Sequence, residues 1–150
     1  MQNEPQKEHQ WLGQLVGDWD FEGECQMGPD QPPMKNSGFE RVASIGGLWT
    51  VGDGEGAMPD GGKMISKMTL GFDPMKKKFV GTFVASMMPN LWVYEGSLDA
   101  SGKILTLDTE GPSFAEEGKT TPYQDILEIV NDDERTLRSQ FRGPDGNWVH

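Results

Sequence analysis

The chain has 150 residues and is 35% hydrophobic, with 20 glycines, 10 prolines and a formal net charge of −11. That length is enough for one domain with a real core, and the glycine and proline content favours short strands joined by turns over a helical bundle. The charge makes nucleic acid an unfavourable partner, since the mean field of the protein repels phosphates.

In chain order, Met1 to His9 is polar and lacks the apolar core of a secretory signal. Asn3 and Pro5 suit a helix start, and Trp11, Leu12, Leu15 and Val16 fall on one face of a short helix over Pro5 to Val16. Gly17 then suits a helix stop. From Trp19 the period changes to two: Trp19, Phe21, Gly23 and Cys25 share one face, and Asp20, Glu22, Glu24 and Gln26 the other. A Pro/Gly-rich loop follows over Met27 to Asn36. Further strands are expected at Phe39–Ser44, Leu48–Gly52, Met64–Phe72, Phe79–Met87, Leu91–Leu98, Ile104–Asp108, Gln124–Val130 and Thr136–Phe141. Short connections such as Ile45-Gly46-Gly47, Asp73-Pro74 and Ala100-Ser101-Gly102 require antiparallel neighbours. About nine such strands form a meander, which removes its edges by closing. The chain stops at Trp148-Val149-His150, so the last strand is expected to be short and its edge to offer a pairing surface for a second copy.

An ordered set of motifs carries a family resemblance. It comprises His9-x-Trp11-Leu12 through Leu15-x-Gly17-x-Trp19, Gly46-Gly47-Leu48-Trp49, Leu70-Gly71-Phe72-Asp73, Gly81-Thr82, Tyr94-x-Gly96-x-Leu98-Asp99, Leu105-Thr106-Leu107 and Asp145-Gly146-x-Trp148. With these the chain resembles the bacterial domain of unknown function (DUF) 1579 family, a relative of the lipocalin-like (calycin) barrels. The resemblance implies one all-β domain over residues 1–150, a closed antiparallel barrel of nine to ten strands whose N-terminal helix caps one end. It brings no reaction and no catalytic residues. It also implies an end-cap contact for His9 and an arginine over a tryptophan at the closure, a role open here to Arg138 or Arg142.

Barrels of this size can hold one small ligand in a mostly apolar cavity. Trp49, Met68, Phe83, Met87, Trp92 and Tyr94 are the residues expected to line it, with Arg41 as a buried polar group that orients the guest. The function expected is therefore binding of a small apolar molecule. The alternatives are a hydrolase or isomerase working inside the cavity, and a structural or oligomerising domain with a filled core. The two histidines, His9 and His150, and the single Cys25 make no recognisable metal set, so no metal or cofactor is expected. Asp53-Gly54-Glu55-Gly56 lacks calcium-loop spacing and reads as a solvated hairpin, and Lys76-Lys77-Lys78 as a solvated turn. One cysteine rules out an internal disulfide, and no run approaches the roughly 18 apolar residues of a membrane helix. A cytoplasmic protein is the expectation.

Overall fold

A computed structural model describes residues 6–25, 34–57, 61–113, 116–143 and 145–149. The loop expected over Met27 to Asn36 lies largely outside them, as do Asn3, Pro5, His150 and the side chain of Cys25. The described residues form one short helix, α1 (Lys7–Gly13), followed by ten strands. These are β1 (Gly17–Cys25), β2 (Met34–Ile45), β3 (Trp49–Ala57), β4 (Lys63–Asp73), β5 (Lys78–Ala85), β6 (Met88–Leu98), β7 (Ile104–Pro112), β8 (Thr120–Asn131), β9 (Glu134–Arg142) and β10 (Trp148–Val149). They make one sheet in sequence order, β1 to β10. The pairs β1–β2, β2–β3 and β6–β7 through β9–β10 are antiparallel, as the short turns require. Among the described residues, no helix is long and apolar enough to cross a membrane.

The chain divides into two compact units, Met1–Leu70 with Phe83–Pro89, and Gly71–Thr82 with Asn90–His150. In the first, α1 buries Leu12, and Leu15 is buried just after it. Val16, expected on the same face, is 41% exposed, because the helix has already ended and the chain is turning into β1. The Trp19 indole Nε1 donates to the Leu15 carbonyl at 2.9 Å, tying the first strand to the end of the helical segment.

Strand β3 corrects the reading of Asp53-Gly54-Glu55-Gly56 as a hairpin, since the strand runs through all four residues. Gly52, Gly54 and Gly56 alternate onto its buried face, opposite Val42, Glu40 and Gly38 of β2. The Glu40 carboxylate, Ser66 hydroxyl and Phe21 ring occupy the space that side chains there would fill. On the other face, Asp53 pairs with Lys67 at 3.3 Å and Glu55 with Lys63 at 2.5 Å. The glycines therefore act as a flat floor for neighbouring side chains rather than as turn formers.

In the second unit, register places four leucines in one row across β6 to β9: Leu98, Leu105, Leu127 and Leu137. Leu105 and Leu127 are buried, and Leu107 beside them is fully so. Glu95 of β6 lies directly opposite Asp108 of β7, a like-charge pair that destabilises a sheet unless relieved. Lys76 and Lys78 approach Glu95 at 3.2 and 3.8 Å, and Gln124 donates to Asp108 at 2.8 Å. The lysine run thus has a structural task. Its turn is shaped by Asp73, whose side chain accepts from the Met75 and Lys76 amides. At the C-terminal end, the Arg142 guanidinium lies 5.1 Å from the centre of the Trp148 ring.

Candidate functional site

Two surfaces have the makings of a site, one in each unit. In the first unit, α1 and the β2–β3 turn enclose a cleft of about 370 Å³. Gly46 and Gly47 make this turn possible, with φ of 61° and 75°, where residues with a Cβ are strained. The Leu48 amide closes the turn on the Ile45 carbonyl at 3.1 Å. Leu12, Leu48 and Trp49 give the cleft an apolar lining, and His9, Ser44 and Thr50 add polar groups. His9 and Thr50 are both buried. The His9 Nδ1 accepts the Gln6 backbone N–H at 2.8 Å. With Nδ1 engaged as an acceptor, Nε2 is the ring nitrogen that donates.

In the second unit, the face of the leucine row continues into a polar row and then an aromatic one. Tyr94 is 1% exposed and its hydroxyl donates to Asp125, which also accepts the Ser139 hydroxyl at 2.6 Å. Burial, reinforced by the Asp125 charge and this hydrogen bond, pushes the Tyr94 phenol far above its ordinary range. Tyr123 donates to the Pro112 carbonyl, and burial raises its phenol as well. Its ring meets Trp92 edge-on at 4.9 Å and Phe141 at 5.8 Å. Trp92 packs over Gly111, where an added Cβ would come within 2.1 Å of the indole.

The residues expected to line one cavity are therefore distributed. Trp92 and Tyr94 share a strand face in the second unit. Trp49 borders the cleft of the first unit, but it is 42% exposed, because it stands opposite Ile45 on the face that carries the ion pairs. Met68 is half-buried on β4 and Phe83 half-buried on β5. Met87 is 55% exposed, since β5 ends at Ala85 and Met87 falls in the turn. Arg41 does not act as a buried polar group. Its side chain is 76% exposed and pairs with Asp18 at 3.1 Å, because period two puts it on the outward face of β2. Among the described residues, no group of three or more His, Cys, Asp or Glu side chains could hold a metal ion.

The family model described as "Protein of unknown function (DUF1579)" matches residues 4–150, nearly the entire sequence. The chain belongs to the DUF1579 family. No curated protein matches it. In this DUF1579 chain, sequence reasoning missed His9 as a cleft residue and Asp125 as the hub of a hydrogen-bond network. Asp125 did leave a signal: Tyr123, Asp125 and Leu127 alternate on one face of β8, and a carboxylate between two apolar neighbours needs internal donors.

Proposed function

We propose that this protein binds a small, predominantly apolar molecule, that it does so as a single domain whose sheet closes into a lipocalin-like barrel, and that the cleft beside α1 is its binding site. The observation that carries this reading is the cleft itself. Its 370 Å³ lies within the range of about 300–1,000 Å³ typical of small-molecule sites, and its lining is apolar with a few polar groups. Trp49 borders the cleft partly exposed, and the polar residues Thr50 and His9 in its lining are buried. A cytoplasmic location belongs to the same proposal, and a single cysteine is compatible with a reducing compartment.

Native mass spectrometry of protein purified from its own host tests the reading. The expected spectrum contains a bound small molecule, and Gln10→Trp, which projects an indole into the cleft from the exposed side of α1, removes that extra mass. A clean unliganded mass for the wild type sinks the proposal.

A further inference from the structure

Three buried side-chain polar atoms lack a hydrogen-bond partner among the described residues: Glu8 Oε2, Trp92 Nε1 and Thr109 Oγ1. The last two belong together. Thr109 stands opposite Tyr123 in register, and Trp92 meets the ring of that same tyrosine edge-on. Around them the polar chemistry is otherwise internally satisfied: Tyr94 and Ser139 both donate to Asp125, and Tyr123 donates to Pro112.

Buried donors are almost always matched, because an unmatched one keeps the full cost of leaving water. An indole N–H only donates, and a threonine hydroxyl donates and accepts. The group that completes this pair must therefore carry an acceptor oxygen. The Asp125 carboxylate on the same sheet face and the net charge of −11 disfavour an anion there. A cation such as an ammonium carries no lone pair to accept the indole N–H. The remaining surface is ring and leucine, and Trp92, Thr109 and Phe141 are all only partly buried.

We propose that the Trp92–Thr109 face is a second binding site, separate from the cleft, for a neutral molecule with an apolar body and one carbonyl or hydroxyl oxygen. The oxygen takes the indole N–H and the threonine hydroxyl, and the apolar part lies on the Tyr123 and Phe141 rings. The guest reaches the two atoms by displacing the side chains that now shield them.

Isothermal titration with three probes of equal chain length, 2-octanone, octane and octanoate, tests the site on the full chain. Octanone should bind about a hundredfold more tightly than octane, about tenfold for each of the two recovered hydrogen bonds, and octanoate should bind worst. Trp92→Phe keeps the ring and loses the donor, and Thr109→Val keeps the shape and loses the hydroxyl. All titrations use the Gln10→Trp background, which fills the cleft, so that the heat reports this face alone; there each substitution should cut the octanone advantage about tenfold and leave octane binding as it was. Equal affinities for octanone and octane, no binding of either, or an advantage that survives both substitutions overturns the proposal. So does an ordered water bridging both atoms in a crystal soaked with octanone.

Discussion

At the scale of single residues, Gly38 and Gly52 show how position decides what a methyl group does. Both lie on the buried face of the first unit. A Cβ at Gly38 would come within 2.1 Å of the Glu55 carbonyl oxygen and 2.7 Å of the Gly56 Cα, which are backbone atoms that cannot move alone. A Cβ at Gly52 would meet the Glu40 carboxylate at 2.6 Å, the mobile end of a long side chain. Gly38→Ala should therefore cost about 2–3 kcal/mol, as overpacking does, and Gly52→Ala less than about 1 kcal/mol. Urea unfolding of both variants measures the contrast, and equal losses would contradict it. Lys77 is the reverse case, a non-glycine residue at φ 56°. Lys77→Gly should raise stability by roughly 0.5–1 kcal/mol, since only glycine adopts that conformation without cost. The Glu95 clamp keeps Lys76 and Lys78 in that variant.

Tyr94 and Tyr123 give the residue scale a pH dependence. Both phenols are raised above the ordinary value of 10.0. Below pH 10 both folded and unfolded chains hold these protons, so the contribution to stability is complete. Above it the unfolded chain releases them first, and stability falls as pH climbs towards the folded values. Alkaline unfolding followed by circular dichroism should begin above about pH 10, and Tyr94→Phe should flatten its slope. An unchanged slope would show that the Tyr94 phenol titrates normally.

At the scale of elements, α1 and β1 act as one piece. The helix is only seven residues, too short to stand without packing. Its buried Leu12, the Leu15 that follows and the indole bond to the Leu15 carbonyl hold it in place. Trp19→Phe should cost about 1 kcal/mol for that bond, and Trp19→Ala about 2–4 kcal/mol, because the ring is only partly buried. Chemical denaturation separates the two, and a neutral Trp19→Ala would mean the ring anchors nothing.

Strand register was legible wherever polar and apolar residues alternate, as in β1. It was hidden in β3, where glycines mimic a turn. Glycine in a strand is read correctly only when the side chain that fills its place is known, and here those fillers come from β1, β2 and β4. The lengths of β7 and β8 were hidden for a related reason. Thr109 to Pro112 and Thr120 to Tyr123 contain two prolines and a glycine, yet they pair across the ladder.

At the scale of the whole molecule, the acidic excess sets the response to salt. Surface ion pairs such as Arg41–Asp18 and Lys67–Asp53 are exposed and contribute little each. Self-repulsion from a net charge of −11 acts on the compact state and is screened by ions. The melting temperature should therefore rise as sodium chloride is increased from about 10 to 200 mM, within a Debye length falling from about 30 to below 10 Å. A fall would mean that the ion pairs outweigh the repulsion.

The sequence by itself determined the all-β class, the order and antiparallel pairing of the strands, the helix before the first strand and the family. These follow from local periodicity and turn chemistry, which neighbouring residues settle among themselves. Only the tertiary structure decided which side chains share a surface. It sent Arg41 and Met87 outward, set Trp49 at a cleft with His9, and surrounded Asp125 with hydroxyl donors. A one-residue shift in pairing moves a side chain to the opposite face, and no local pattern fixes what a distant strand will lay against it.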